Sequence, residues 1–260
     1  AAPDLRDLPA EDARLISRAA DYDSLNDELA FFDHHLKDFP IGPTSQAEAR
    51  VFVTGENRWR EFAQWPPPNS EVQTMYRDVN NSALTPAPPS SGETVVTLDQ
   101  SDPTPHGPPW VAGRPRPFDN APLAESRADI LVFQTATLAD ALPLLGPLRA
   151  TIFASANRPS FDICVRVLDL YPDGRAIWLS DGVCRGESGE FQIELSGVGH
   201  VLRAGHRLRV EVAPAAFMRW DVNPGRVDEP WFCEEAVNIE VTIHAGGDTP
   251  SAIWFTAGGD

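Results

Sequence analysis

Apolar and polar residues alternate along most of the second half of the chain. The clearest example is Phe161–Leu170, in which every second residue up to position 167 is apolar. This period of two predicts a β-strand with one apolar face and one mixed face. The sequence Tyr-Pro-Asp-Gly follows, which is typical of a turn because proline fixes φ and glycine accepts positive φ. We therefore expect Arg175–Leu179 to return as the partner strand.

The same alternation predicts eight strands after residue 128. They are Ile130–Gln134, Ala150–Ala154, Phe161–Leu170, Arg175–Leu179, Glu190–Leu195, Arg207–Val212, Val237–Ile243 and Ala252–Phe255. Half-buried antiparallel strands produce this pattern. Short strands separated by turn sequences are typical of a β-sandwich, so the predicted fold class is mainly β, a jelly-roll β-sandwich.

One stretch near the start of the chain has the period of a helix instead. Its apolar residues recur at spacings of four, three and four: Leu25, Leu29, Phe32 and Leu36. We predict a short amphipathic helix over about residues 24–37, with Ser24 as N-cap. Residues 1–43 are then an acidic N-terminal segment that carries this helix, and residues 44–260 form the jelly-roll domain.

Proline interrupts the pattern in the first part of the predicted β domain. Residues 66–122 hold 13 of the 25 prolines. Because proline cannot donate a hydrogen bond to a sheet, we expect a long extended excursion over the surface, with a single strand at Thr94–Leu98. Trp110 is the expected anchor of this excursion.

Composition restricts the partners of the chain. It has 38 acidic and 21 basic residues, a formal net charge of −17. This charge argues against nucleic acid and anionic membrane surfaces as partners, since both require clustered Lys and Arg. No apolar run reaches the roughly 20 residues of a membrane helix. The three cysteines, Cys164, Cys184 and Cys233, are too few and too scattered to distinguish a cytoplasmic from a secreted protein.

The sequence contains no motif that is typical of a catalytic or metal-binding site. The Gly-x-Ser-x-Gly turn that exposes a nucleophilic serine in α/β-hydrolases is missing, and Gly186–Gly189 is interpreted as a hairpin loop. The six histidines lack metal-ligand spacing. We therefore predict no catalytic residue, no metal site and no cofactor.

Two weaker hypotheses concern ligand binding. The polar loop Arg219–Gly225 contains an aromatic residue, so Trp220 and Asp221 are candidate ligand contacts, together with Trp110. A purely structural loop with local Asn and Asp turns is the favoured interpretation. Asp169 and Asp173 could supply oxygen ligands to calcium, although turn capping by Asp173 is favoured.

Several motifs, in order, resemble the C-terminal part of the X-prolyl dipeptidyl-peptidase/cocaine esterase (CocE/NonD) family of serine hydrolases. They are FFDHHLK at 31–37, VFVTGENRWR at 51–60, WPP at 65–67, LDQSDPTP at 98–105, GP at 146–147, the hairpin FDIC…YPDGRA at 161–176, and AGHRLRV…NPG at 204–225. The resemblance covers roughly residues 25–255. Residues 215–218 depart from the Ser-x-Asn-Phe-Pro that the family prefers.

The resemblance implies a galactose-binding-like jelly roll that follows a catalytic core. In that family the Ser-Asp-His triad lies in an α/β-hydrolase core upstream of the first motif, so no triad residue is carried over to this chain. The expected function is a non-catalytic accessory domain that braces the core, forms a wall of the substrate cleft or mediates homo-oligomer contacts. Its expected partner is that core, in the same gene or as a separate chain. The alternative is a stand-alone carbohydrate-binding or other ligand-binding module.

Overall fold

The computed structural model describes residues 23–40, 48–78, 80–107, 119–227 and 237–258. Most of this part of the chain is β-structure, with two short helices. The helices are α1 (Ser24–Lys37) and α2 (Ala121–Ser126); the strands are β1 (Ala49–Val53), β2 (Arg58–Phe62), β3 (Ser70–Asp78), β4 (Ala83–Thr85), β5 (Gly92–Asp99), β6 (Leu131–Gln134), β7 (Leu142–Ala156), β8 (Phe161–Leu170), β9 (Ala176–Gly186), β10 (Gly189–Leu202), β11 (Arg207–Ala213), β12 (Asn238–Ala245) and β13 (Ala252–Gly258). The mainly β fold class is confirmed.

The strands form the two layers of a β-sandwich. One layer follows the order β10-β7-β13-β3, and β12 and β5 extend it beyond the end of β7. The other layer follows β6-β11-β8-β9, and β4 connects the layers by pairing with both β3 and β6. Nearly all pairs are antiparallel, as the alternating sequence pattern predicts.

The hydrophobic core lies between these layers. The inward side chains of β8 are Phe161, Ile163, Val165 and Val167, and each is fully buried. Phe161 meets Phe191 of β10 across the sandwich, with ring centroids 4.9 Å apart. Burying a side chain of this size stabilises the fold by about 1.5–3 kcal/mol. The alternation in the sequence therefore predicted the correct face of this strand.

The second face of β8 is buried as well, which the sequence did not predict. Asp162, Cys164 and Arg166 are exposed by 4%, 2% and 1%. Other segments cover them: Pro105 accepts a hydrogen bond from Arg166, and Asn223 donates one to Asp162. A strand pattern with polar residues on one face predicts solvent there, but loops can supply the partners instead. Burial also raises the pKa of the Cys164 thiol.

The proline-rich region is not an excursion with one strand, so that prediction is wrong. Its β3 pairs along its length with β13, its β5 pairs with β12, and α2 adds a second short helix. The reason is the placement of the prolines, which leaves residues 69–85 and 90–102 free of them. Strands occupy these two runs, and the described prolines lie in the connections, apart from Pro122 in the first turn of α2. Trp110 lies outside the described residues.

Helix α1 is confirmed, with bounds close to those predicted. The N-cap is Asp23 instead of Ser24, and its carboxylate accepts a hydrogen bond from the backbone N–H of Asn26 at 3.2 Å. The apolar stripe of the helix is solvent-exposed, from 51% at Leu29 to 77% at Leu36. Among the described residues, we find no helix that is long and apolar enough to cross a membrane.

Strands β1 and β2 form a separate hairpin that packs against β10. Val53 and Phe62 of the hairpin are buried with Leu145 and Val201 of the sandwich. A short parallel bridge joins Thr54 to β10: Thr54 N–H donates to Gly199 O at 3.0 Å, and Val201 N–H donates to Thr54 O at 2.9 Å. The hairpin thus joins the N-terminal segment to the sandwich.

Candidate functional site

The outer face of β8, β9 and β11 carries a group of polar and charged residues, most of them buried, which we call the polar layer. Its members are His106, Asn120, Asp162, Arg166, Asp181, Arg185, Arg209, Glu211, Arg219 and Asn223. Alternation along the strands points the strand members away from the apolar core, and the other members come from the segments that cover this face. Because buried polar groups require partners, the contacts within this layer determine how the covering loops sit on the sheet.

Asp162 holds one end of the polar layer together. Its carboxylate accepts hydrogen bonds from Arg185 Nε at 2.8 Å and Arg185 Nη2 at 3.0 Å. Asn223 Nδ2 donates to the same carboxylate at 2.8 Å. The Asp162 contact raises the pKa of Arg185. Arg185 also donates to the backbone O of Asp221 at 3.3 Å, so this clamp fixes the loop that follows β11.

His106, Asp181 and Arg219 meet at the open edge of the layer. Asp181 accepts from Arg219 Nη1 at 3.2 Å, and its other oxygen lies 3.2 Å from His106 Nε2. The imidazole is flanked by Trp178 and Trp220, at centroid distances of 4.5 and 5.9 Å. Arg219 also lies over the Trp220 ring at 4.7 Å. The result is an aromatic and charged cluster within reach of solvent, since Arg219 is 47% exposed.

Next to this cluster, Phe217 and Met218 project from the surface, and we call them the ridge. They are 43% and 87% exposed. Phe217 is held on both sides, because its N–H donates to Thr104 O at 2.8 Å and its O accepts from His106 N–H at 2.9 Å. Met218 has a φ of 76°, a conformation that costs a non-glycine residue about 1 kcal/mol or more. The surrounding bonds thus fix an apolar projection in a strained backbone.

Arg166 and Glu211 form the most deeply buried part of the layer. Arg166 Nη1 lies 3.7 Å from Glu211 Oε2, and the two side chains are 1% and 0% exposed. Burial lowers the pKa of Arg166, and the charge of Glu211 opposes this shift. Burial raises the pKa of Glu211, although Arg209 and Arg166 oppose it. The cost of desolvation therefore outweighs the attraction, as is common for buried ion pairs.

The structure also brings a serine hydroxyl against an imidazole, across three neighbouring strands. Ser155 Oγ lies 2.9 Å from His244 Nε2, and His244 Nδ1 lies 3.7 Å from Glu93 Oε2. A serine nucleophile also needs N–H donors directed at the developing oxyanion. The next amide, of Ala156, already donates to Ser188 Oγ at 3.2 Å. The amide that follows Ser155 is therefore already engaged and is not available as an oxyanion donor in this arrangement.

A second hydroxyl–imidazole–carboxylate chain is internal. Thr54 Oγ1 lies 2.7 Å from His200 Nδ1, and His200 Nε2 lies 3.1 Å from Asp169 Oδ2. His206 Nδ1 contacts the other Asp169 oxygen at 2.8 Å. His200 and Asp169 are almost fully buried, and Thr54 also lies 3.2 Å from Gly199 O. We interpret this chain as the connection between the β1–β2 hairpin and the sandwich.

These contacts show where some of the candidate ligand-binding residues lie, but they do not test ligand binding. Trp220 lies in the aromatic cluster, whereas Asp221 contributes its backbone to the clamp; ligand binding by either residue, or by Trp110, remains a prediction. Asp173 caps its turn by accepting from Arg175 N–H at 3.1 Å, as favoured. Among the described residues we find no group of three or more side chains suited to a metal ion.

Comparison with known proteins gives the class of domain. Residues 42–253 match the family described as X-Pro dipeptidyl-peptidase C-terminal non-catalytic domain. Cocaine esterase from Rhodococcus sp. is 28% identical over 253 residues, which span 86% of this chain and 44% of that enzyme. This chain therefore spans less than half the length of that relative.

Solved structures show the same fold. An aminopeptidase from a marine sediment Thaumarchaeota archaeon superposes with a TM-score of 0.77 at 24% identity, over 90% of this chain and 43% of that one. An α-amino acid ester hydrolase gives a TM-score of 0.74 at 22% identity, over 88% of this chain and 44% of that one.

Fold and comparisons together define a β-sandwich accessory domain of the kind found in CocE/NonD and X-Pro peptidase hydrolases. The chain belongs to the family of X-Pro dipeptidyl-peptidase C-terminal non-catalytic domains. The resemblance found in the sequence is thereby confirmed. Its narrower part, a galactose-binding-like character, remains a prediction.

Proposed function

We propose that this chain is the accessory domain of a serine hydrolase and packs against an α/β-hydrolase core. The observation that carries the proposal is the exposed apolar stripe of α1. Leu25, Leu29, Phe32 and Leu36 are all more than half exposed. A helix with such a stripe is stable when the stripe is covered by another surface. All of α1 precedes the β-structure and lies outside the family match at 42–253, so the core is the expected cover.

The ridge supports a second contact with the same partner. Phe217 and Met218 are apolar and exposed, and backbone hydrogen bonds of Phe217 to Thr104 and His106 hold this segment in place. Apolar anchors on a preorganised backbone can contribute strongly to protein interfaces, because less backbone freedom is lost on binding. We assign the ridge to the wall of the substrate cleft, and the polar layer to its support.

The experiment uses the chain with an α/β-hydrolase core supplied by coexpression of the upstream reading frame. The chain alone should not hydrolyse p-nitrophenyl esters or X-Pro anilides, whereas the combination should. Leu29→Glu with Phe32→Glu should weaken association of the two parts by at least about tenfold, which corresponds to about 1.4 kcal/mol. The thermal midpoint of the chain alone should not change, since both residues are exposed.

Ala30→Glu is the matched control for Leu29→Glu alone, because each adds one negative charge on an exposed position and Ala30 lies away from the stripe. This control should associate like the original chain. Equal association of the double variant would contradict docking through α1. Ester hydrolysis by the chain alone that is lost with Ser155→Ala or His244→Ala would contradict the accessory role itself. Homo-oligomer formation, which the resemblance also allows, is measured in the same experiment by sedimentation.

A further inference from the structure

A groove crosses the outer face of the other layer, on the side of the sandwich formed by β3, β13, β7 and β10. It has a volume of about 510 Å³, within the range of small-molecule sites. We call it the Trp254 groove, because Trp254 is one of the two aromatic residues in its lining, which also contains Val72, Pro147, Arg149, Thr151 and Gln192. The hydrolase-core proposal above makes no use of this surface.

The strand register places four side chains in one row across the groove. Trp254 on β13 pairs with Thr74 on β3 and with Arg149 on β7, and Arg149 pairs with Glu194 on β10. Neighbouring strands are about 4.8 Å apart, so the row extends over about 14 Å. A second row, one pair further along, contains Thr151 opposite Gln192. The groove is therefore an ordered, shallow surface built on rigid strands.

Some polar side chains of the groove are oriented by hydrogen bonds to each other, and others are exposed and able to bind a ligand. Thr151 donates to Gln192 Oε1 at 3.0 Å, and Gln192 Nε2 donates to Glu190, which orients the amide. Arg149 and Glu194 lie 3.7 Å apart and are 65% and 83% exposed. An exposed pair at this distance contributes little to stability, so both groups can exchange their contact for one with a ligand.

The apolar part of the groove is unusual for a solvated sheet face. Val72 is 72% exposed beside Trp254 and Pro147. A flat aromatic ring surrounded by amide, hydroxyl, guanidinium and carboxylate groups matches the chemistry of a pyranose, which has an apolar face and a polar edge. One acid and one base face each other here, so the groove favours a neutral ligand over an anion.

We propose that the Trp254 groove binds a neutral oligosaccharide. One sugar ring stacks on Trp254, and the Arg149–Glu194 pair and Gln192 bind the hydroxyl groups of the neighbouring rings. The sequence named Trp110, Trp220 and Asp221 as candidate ligand contacts; Trp220 lies beside His106 on the other layer, so the proposed site is separate from it. It does not require a catalytic partner, and its failure would leave the accessory role unaffected.

Affinity gel electrophoresis of the 260-residue chain tests this proposal. The gels contain soluble neutral polysaccharides: mixed-linkage β-glucan, xyloglucan, galactomannan, xylan or pullulan. At least one should retard the chain, and Trp254→Ala should weaken that retardation at least about tenfold. Gln192→Ala, an exposed change, should weaken it without altering the thermal midpoint. Trp59→Ala is the matched control, because Trp59 packs on Phe52 in the separate β1–β2 hairpin.

Three results would overturn the proposal. The first is the absence of retardation in every gel. The second is equal retardation of the original chain and of both groove variants. The third is a chain that sediments as a dimer and becomes monomeric with Trp254→Ala, since the groove would then be an interface between two copies. If Trp254→Ala does not fold, Gln192→Ala and Arg149→Ala decide between these results.

Discussion

Arg185 donates two hydrogen bonds to Asp162, from Nε at 2.8 Å and from Nη2 at 3.0 Å. This pair connects the edge strand β9 to the beginning of β8, and Asn223 joins it from the loop after β11. The geometry is bidentate, which is the strongest form of a side-chain ion pair. The Asp162 side chain is also 95% buried, so water has little access to replace its hydrogen-bond donors.

Asp162→Ala should therefore destabilise the chain by about 3 kcal/mol, because it leaves buried Asn223 without its carboxylate partner. The loop at 216–225 should become more sensitive to proteolysis than the rest of the sandwich. Urea denaturation and limited proteolysis measure the two effects. Asp221→Ala is the control, since Asp221 meets Arg185 through its backbone O. Equal stability of the two variants would show that the clamp contributes nothing.

Arg77 is buried without a carboxylate partner among the described residues, and this predicts a stabilising substitution. It is 2% exposed, lies over the Phe133 ring at 4.7 Å, and donates to the backbone O of Ile243 at 3.1 Å. Burial lowers the pKa of Arg77 to about 9. Arg77→Met should raise the free energy of unfolding at pH 7 by about 1–4 kcal/mol, because it removes a desolvated charge.

The pH dependence of this effect has a definite sign. A base whose pKa is lower in the folded state releases its proton first in that state, so the original chain gains stability as pH rises above about 9. The advantage of Arg77→Met should therefore shrink between pH 7 and pH 10, as measured by urea denaturation. A stability advantage that grows with pH would contradict this explanation. Equal free energies of unfolding for Arg77→Met and Arg77→Ala would also contradict it. Arg77→Ala should destabilise through the cavity it leaves.

Gly55 is required where the hairpin meets the sandwich. Its φ is 85°, and a Cβ placed there would lie 2.1 Å from Val201 O. Gly55→Ala should destabilise the chain by at least about 2 kcal/mol, because both the backbone strain and the clash must be relieved. Hydrogen exchange should accelerate at the Val201 amide, which donates to Thr54 O. Gly197→Ala is the control, since its Cβ would meet nothing closer than 3.4 Å.

At Met218, a single substitution should raise the stability of the chain and weaken its association with the core. Glycine accepts the φ of 76° without cost, so Met218→Gly should stabilise the chain by about 1 kcal/mol. Met218→Ala keeps a Cβ in the same conformation and should not. Thermal denaturation separates the two variants. If the ridge contacts a core, both variants should associate with it more weakly; unchanged association would remove the ridge from the proposed interface.

Much of the fold was predictable because burial alternates with sequence along the strands. Phe161–Leu170 was predicted with its observed bounds, whereas β7 was predicted only as Ala150–Ala154. The first half of β7 contains Pro143, Gly146 and Pro147, which are typical of turns and strand ends. Pairing with β10 and β13 overrides those local preferences. The proline-rich region was misjudged for the same reason, since partner strands were not visible in its composition.

The candidate site was much less predictable. His106 and Asp181 are 75 positions apart, so no spacing rule connects them. The only sequence signal was the polar alternation on β8, which indicated a polar face but not the loops that cover it. The Trp254 groove was hidden for a related reason, because its four side chains come from strands distant in sequence.

The double burial of β8 has a consequence for protein engineering. Arg166 donates to Pro105 and Asp162 accepts from Asn223, and both of these partners belong to connecting segments and not to strands. A variant that shortens either segment removes a hydrogen-bond partner from a buried polar side chain. Shortening of these segments should therefore be combined with apolar replacements on β8. A smaller stable sandwich requires both changes in the same variant.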